Sequence, residues 1–143
     1  MVRIELNRLN DAFHFSAGNE NGNSVQMDAS TAAGGMNQAM RPMQMLLAAM
    51  GGCSAIDVIG ILKKQRQDLK DLKITVTGER EKGATPSLYQ SVHAHFRLFG
   101  NLDADKVEKA INLSIEKYCS VSRTLEKAGA RITHSYEILP AGD

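Results

Sequence analysis

Apolar and polar residues alternate along the first thirty positions of the chain, and turn-forming residues rich in Asn and Gly interrupt the alternation. A period of two is typical of a strand with one buried face. The pattern predicts a three-stranded N-terminal meander over residues 2–8, 12–17 and 24–28. Its apolar residues are too few for a free-standing core, so we expect this meander to lie against another surface.

The longest apolar run, residues 42–65, predicts a central helix of roughly 36 Å at 1.5 Å per residue. Pro42 suits the first helical turn, and Lys63 and Lys64 complement the helix dipole at the far end. Apolar residues lie nearly all round this helix, which is typical of a helix enclosed on several sides. Because the run is rich in Gly and Ser and turns polar after Leu62, we do not expect it to span a membrane.

Downstream of residue 65 the pattern predicts two strands, two helices and a last strand. Residues 72–80 and 88–98 alternate in character, as do residues 131–139. Asp103 is expected to cap the start of the first of the two helices, and Gly129 to follow the end of the second. The order βββ-α-ββ-αα-β predicts an α+β fold in which helices pack on antiparallel sheet.

Composition narrows the classes of protein to which this chain could belong. A length of 143 residues predicts one domain, residues 1–143, with its own core. The net charge of +1 and the lack of a basic block do not favour nucleic acid as a partner. The first residues lack the apolar segment of a signal peptide. Two cysteines without a secretory signal indicate a reducing compartment, and we expect the cytoplasm.

Two histidines raise the question of a metal site. His93 and His95 fall on the outward face of the strand predicted over residues 88–98, and a His-x-His pair can contribute to a zinc site. No third ligand lies nearby in the sequence, and histidines that face solvent are common. We therefore expect no metal.

Cys53 lies near the middle of the central helix, among small residues. A glycine inside a helix costs about 1 kcal/mol relative to alanine, so Gly51 and Gly52 need an explanation. Either another backbone or a small ligand approaches closely there, or the glycines only permit tight helix packing. The sequence leaves both explanations open, and a free cysteine on a buried helix is often just a small apolar side chain.

Two motifs in this chain resemble those of the OsmC/Ohr family of osmotically induced and organic-hydroperoxide-resistance proteins. The first motif is Pro42-x-x-x-Leu-Leu-Ala-Ala-x-Gly-Gly-Cys53-Ser-Ala-Ile-Asp, and the second is Lys117-Tyr-Cys119-Ser-Val-Ser. The likeness covers nearly the whole chain from Pro42 on and is greater to the OsmC-like branch than to the established peroxidases. It implies antiparallel sheets wrapped around a long central helix, in an intertwined homodimer that exchanges residues 1–28.

The resemblance also implies a thiol-dependent peroxidase that reduces organic hydroperoxides and needs no metal or bound cofactor. Cys53 would be the peroxidatic thiolate and Cys119 the resolving thiol. Cys53 would attack the peroxide and become a sulfenic acid, Cys119 would condense with it, and an external dithiol would reduce the disulfide. The implied partners are therefore a second copy of the chain, a small hydroperoxide and a dithiol reductant.

The chain departs from the family pattern in its charged groups. Established members carry a glutamate shortly after the helix-opening proline, and an upstream arginine that this glutamate orients. Here Gln44 stands where the carboxylate is expected, and residues 29–40 contain no arginine. A glutamine can hydrogen-bond an arginine but supplies no charge. Arg41 and Arg123 are the two candidates for the missing cation.

These departures predict a slow nucleophile. A thiol with an ordinary pKa of about 8.5 is only a few per cent ionised at neutral pH, and Asp57, one turn after Cys53, would raise that pKa further. Arg41 lies about 18 Å from Cys53 along the helix axis. It could therefore reach the thiol only by folding back or from the other subunit.

Two alternatives to the peroxidase remain open. The chain could be a non-catalytic binding module for a hydrophobic small molecule, because methionines form adaptable apolar pockets, although methionines are more often core filler. It could also be a dimeric scaffold without chemistry. The methionines near the start of the central helix are Met36, Met40, Met43, Met45 and Met50.

Overall fold

The computed structural model describes residues 1–142 and confirms the α+β class and the predicted order of elements. A 3₁₀ turn lies at Thr31–Ala33 and a π-helical turn at Ser114–Tyr118. The helices are α1 Pro42–Lys64, α2 Ala104–Leu113 and α3 Ser120–Lys127, and the strands are β1 Ile4–Arg8, β2 Phe15–Asn19, β3 Ser24–Met27, β4 Asp71–Arg80, β5 Tyr89–Phe99 and β6 Arg131–Leu139.

The chain forms two compact units, residues 1–46 and the residues from 47 onward. In the first unit, β1, β2 and β3 form an antiparallel sheet in sequence order, with Leu6 opposite Ala17 and Ala17 opposite Val25. Ala17 is the only strand residue of this unit that is buried. The predicted meander is therefore present, with a small apolar content, while the proposal of a single domain stays a prediction.

One buried carboxylate organises the segment between β3 and α1. Asp28 is 2% exposed, and its two oxygens accept the backbone N–H groups of Ala29 at 2.7 Å and Gln38 at 3.0 Å. The bond from Gln38 is the main cause that lowers the pKa of Asp28. The N–H of Asp28 donates to the carbonyl of Met40 at 3.1 Å. This segment is therefore held at both ends by one side chain.

In the second unit, β4, β5 and β6 form a mixed sheet. β4 and β5 are antiparallel as predicted, with Val76 opposite Ala94. β6 pairs with β5 in parallel, which the sequence analysis did not predict. The connection through α2 and α3 carries the chain back before β6 begins, and a parallel pair requires a crossover of this kind. One face of β5 is fully buried and forms the core: Val92, Ala94, Phe96 and Leu98.

Helix α1 ends one residue earlier than predicted because Arg66 adopts a left-handed conformation, with φ of 56°. The N–H of Gln67 then bonds to the carbonyl of Leu62 at 2.9 Å, and the N–H of Arg66 to that of Lys63 at 3.0 Å. This is a Schellman arrangement, in which the residue after the C-cap is usually glycine. An arginine at that position gives no local signal for the helix end.

Helix α1 buries one stripe within this chain and leaves the opposite face uncovered. Met50, Ser54, Val58 and Leu62 are fully buried, whereas Ile56 is 74% and Ile59 is 47% exposed. Among the described residues α1 is long and apolar enough to cross a membrane by length and composition, with a mean hydropathy of 2.0 over eighteen residues. Core helices of soluble proteins can meet the same criterion. The sequence pattern thus predicts that α1 is buried on more sides than it is within a single chain.

Candidate active site

The fold brings the two cysteines together. Cys53 lies in the middle of α1 and is half-buried, whereas Cys119 lies between the π turn and α3 and is 2% exposed. The Cys53 thiol is among the groups that raise the pKa of Cys119, so the two thiols are neighbours in the fold. Two neighbouring thiols can form a disulfide if the side chains adjust, which is the first requirement of a peroxidatic and resolving pair.

The π turn places the Cys119 thiol. The N–H of Cys119 donates to the carbonyl of Ser114 at 2.7 Å, which closes the wider turn. The Cys119 sulfur then accepts the N–H of Ser122 at 3.3 Å and so caps the start of α3. On its other side the sulfur is 4.0 Å from the carbonyl oxygen of Met50 on α1. π-helical turns occur frequently at functional sites, and here the turn aims a thiol at α1.

The surroundings of Cys119 favour its protonated form. The pKa of Cys119 is raised to about 11, mainly by burial and to a smaller extent by the thiol of Cys53 and the carboxylate of Asp57. The N–H of Ser122 acts in the opposite direction but is outweighed. Cys119 therefore carries a proton at neutral pH, as suits a thiol that reacts second.

A chain of buried hydroxyls lies beside the thiols. The Ser54 and Ser114 oxygens are 2.8 Å apart, and the Ser114 hydroxyl donates to a carboxylate oxygen of Asp57 at 3.0 Å. Both serines are fully buried. Sequence analysis noted Asp57 but missed Ser114. A usable signal existed, because Ser114 is a polar residue on the apolar stripe that Val107 and Ile111 mark on α2.

The two glycines before Cys53 have different surroundings. A Cβ on Gly51 would lie 3.1 Å from a methyl carbon of Val76 on β4, so this glycine permits close packing of α1 on the sheet. A Cβ on Gly52 would meet nothing within 4 Å. Of the two explanations that the sequence left open, tight packing applies to Gly51. Gly52 instead leaves open space one residue from Cys53.

Arg41 and Gln44 lie at the start of α1, within the first compact unit. The side-chain oxygen of Gln44 accepts the backbone N–H of Arg41 at 3.1 Å, which is the reciprocal half of a capping box. Gln44 therefore caps the start of α1. Its hydrogen bond is to the backbone N–H of Arg41 and not to the Arg41 guanidinium. The roles assigned to both residues from the family resemblance remain untested.

Arg123 lies on the exposed side of α3. Its guanidinium forms an ion pair with Glu126 at 3.5 Å and donates to the carbonyl of Glu116 at 3.3 Å. Within residues 1–142, Cys53 and Asp57 are the titratable groups that act on the pKa of Cys119, and no arginine or lysine is among them. In this chain the Arg123 guanidinium thus bonds to two residues of its own segment, Glu116 and Glu126.

The two histidines face outward on β5, as predicted, and bond to the neighbouring strand. His93 contacts Thr133 at 2.7 Å and Ser135 at 2.8 Å, and His95 contacts Ser135 at 2.7 Å. Over the described residues, no three His, Cys, Asp or Glu side chains cluster as a bound metal ion would require.

Comparison with known proteins identifies the family. The family model for OsmC-like proteins matches residues 35–135. This chain belongs to the OsmC-like family. It is 46% identical to protein YhfA of Escherichia coli K12 over 121 residues, which covers 84% of this chain and 86% of YhfA.

Solved structures support the same fold. A crystal structure of a protein from Aquifex aeolicus VF5 has a TM-score of 0.83 and 30% identity, and the match covers 99% of this chain and 98% of the other. The organic hydroperoxide resistance protein OhrB of Bacillus subtilis has a TM-score of 0.67 and 16% identity, with 96% and 98% coverage. At that identity the likeness to OhrB concerns the fold alone. The family assignment made from the two cysteine motifs is confirmed.

Proposed function

We propose that this OsmC-like protein is a thiol-dependent peroxidase that reduces organic hydroperoxides, with Cys53 as the attacking thiol and Cys119 as the resolving thiol. The observation that carries the proposal is the proximity of two thiols that are remote in sequence. The Cys119 sulfur lies 4.0 Å from the carbonyl oxygen of Met50, three residues before Cys53 on α1, and the Cys53 thiol is among the groups that raise the pKa of Cys119. Family membership agrees with it, since relatives by fold include proteins named for organic hydroperoxide resistance.

The environments of the two thiols support the order of reaction. Cys53 is the more exposed of the two and has open space beside it at Gly52. Its thiolate attacks a peroxide oxygen, the O–O bond breaks, and the alcohol leaves after taking up a proton. Cys53 is then a sulfenic acid, and Cys119 condenses with it to give a disulfide and water. An external dithiol restores both thiols, so the cycle needs no metal or bound cofactor.

We expect the reaction to be slow compared with that of family members that carry the charged pair. Gln44 supplies no charge and is used as a helix cap, and Arg123 is paired with Glu126. A cation near a thiol stabilises the thiolate, and these bonds use Gln44 and Arg123 elsewhere.

The same proposal includes a homodimer in the cytoplasm that exchanges residues 1–28. Exposed apolar side chains on α1 and, separately, on the N-terminal sheet support a second copy as the missing cover of each, because exposed groups of apolar side chains often mark an interface. On this proposal the apolar face of α1 packs against protein and not lipid. Those residues are Ile4, Leu6, Val25, Ile56 and Ile59.

Titration with an alkyl hydroperoxide tests the proposed chemistry. One equivalent should remove both free thiols of each chain, and a thiol-specific reagent should measure the loss. Cys119→Ser should stop at a sulfenic acid that dimedone traps, and Cys53→Ser should lose no thiol above its unreacted control. Equal loss in Cys53→Ser and in the unmodified protein would reject Cys53 as the attacking group.

A groove beside the site favours a second candidate, a binding module for a hydrophobic small molecule. The groove has a volume of about 640 Å³, which is ample for a small ligand. Mass spectrometry of the native protein should detect a co-purified apolar compound if this function is correct. Its apolar lining residues are Ile56, Ile61, Leu113 and Tyr118, and its charged ones are Asp57, Lys64 and Lys109.

A further inference from the structure

The hydroxyl chain beside the thiols runs in one direction. The hydroxyl of Ser114 donates its single proton to Asp57. In its 2.8 Å contact with Ser54, Ser114 must therefore be the acceptor and Ser54 the donor. The chain starts on α1 at Ser54, passes through Ser114 at the end of α2, and ends at the Asp57 carboxylate on α1.

Burying two hydroxyl groups between α1 and α2 costs free energy that apolar side chains would not cost. Ser54 and Ser114 are both fully buried, and a buried hydroxyl is tolerated only when its hydrogen bonds are made. An alanine at position 114 would continue the apolar stripe of Val107 and Ile111 without that requirement. Because packing alone does not require this buried polar network, the network indicates a function connected with the thiols beside it.

Ser114 connects Asp57 to the resolving cysteine. While its hydroxyl bonds to Asp57, its carbonyl accepts the N–H of Cys119 at 2.7 Å. The carboxylate is thus joined, through one residue, to the turn that points the Cys119 thiol at Cys53. A shift of Ser114 would move the Cys119 backbone with it.

Asp57 also acts on Cys119 by its charge. The titratable groups that act on the Cys119 thiol are Cys53 and Asp57, both on α1. Within the part of the chain that the structure describes, no group on β4, β5 or β6 acts on it. A nearby negative charge disfavours a second one on sulfur. The charged side chains of its own segment are exposed: Glu116, Lys117, Arg123 and Glu126.

We propose that Asp57, acting through Ser114, is the positioning residue that holds Cys119 beside Cys53, and that its negative charge acts on the Cys119 thiol. The proposal rests on the peroxidase function proposed above. In the condensation, the S–O bond of the Cys53 sulfenic acid breaks and the S–S bond forms. The Cys119 sulfur is oxidised and the Cys53 sulfur reduced, and the Cys119 proton leaves with the hydroxyl group as water.

Alkylation of Cys119 as a function of pH tests the charge. In a Cys53→Ser background, iodoacetamide should modify Cys119 with an alkaline midpoint, and Asp57→Asn should move that midpoint to lower pH. We expect about threefold faster alkylation at neutral pH, which corresponds to a midpoint lower by about half a pH unit. Glu108→Gln, an exposed change on α2, is the matched control and should leave the midpoint in place. Faster alkylation of Asp57→Asn at every pH with an unchanged midpoint would overturn the proposal.

Disulfide formation tests the positioning. With both cysteines present, Ser114→Ala should slow the conversion of the Cys53 sulfenic acid to disulfide, seen as increased trapping by dimedone. Conversion as fast as in the unmodified protein would overturn this part of the proposal. The midpoint of Cys119 alkylation is measured without peroxide. The peroxidase function and the role of Asp57 are therefore tested separately. An unmodified protein that consumes no peroxide overturns the proposed function, whereas an unmoved midpoint in a protein that consumes peroxide overturns only the role of Asp57.

Discussion

The two sheets of this protein are stabilised in different ways. In the sheet β4–β6, alternate residues of β5 are fully buried, and Phe96 has no exposed surface. In the sheet β1–β3, Leu6 is 56% and Val25 is 49% exposed, and the segment that follows depends on hydrogen bonds to Asp28. The comparison teaches that one sheet contains its own hydrophobic core, whereas the other leaves its apolar side chains exposed in this chain and is followed by a segment that hydrogen bonds hold in place.

The largest expected effect is at the core of the second sheet. Phe96→Ala should lower the free energy of unfolding by about 3–5 kcal/mol, because it removes a fully buried aromatic ring. Val25→Ala in the first sheet should cost about 0.5 kcal/mol or less at protein concentrations too low for the proposed dimer, because the side chain is half exposed in a single copy. Urea unfolding of both variants measures the difference. If Val25→Ala cost as much as a core substitution, and more so at high protein concentration, a second copy would be covering the first sheet.

Asp28 provides the next test. Because the pKa of its carboxyl is lowered in the folded state, it stabilises the fold above the ordinary pKa of 3.8. That contribution should be lost as the pH falls through the lower folded value. Asp28→Asn should remove this part of the acid transition and speed amide exchange at Gln38. Asp11→Asn, an exposed change in the same unit, is the control. Equal acid transitions in the two variants would show that Asp28 does not hold the segment.

The smallest expected effect separates the two glycines of α1. Gly52→Ala should raise the free energy of unfolding by about 1 kcal/mol, since alanine favours a helix and the new methyl group meets no atom of this chain. Gly51→Ala should gain less, because its methyl group would press on Val76 at 3.1 Å. Thermal unfolding of the pair checks the prediction. A destabilising Gly52→Ala would mean that another surface occupies the space beside Cys53.

The sequence by itself determined the parts of this protein that depend on neighbouring residues. Period-two alternation predicted the strands, and Asp103 was correctly predicted as the N-cap of α2. Gly129, with φ of 109°, follows the C-cap of α3 as expected. The two cysteine motifs identified the family. Each of these signals is carried by a few adjacent residues, so it can be read without knowing the fold.

Tertiary structure alone decided which distant residues meet. The parallel pairing of β6, the proximity of Cys53 to Cys119 and the network through Ser114 all join segments that lie far apart along the chain. Local propensity does not encode such contacts, because they follow from the packing of α1, α2 and the sheet. The end of α1 at Arg66 was missed for a related reason, since a left-handed arginine is stabilised by the surrounding hydrogen bonds and not by its own preference.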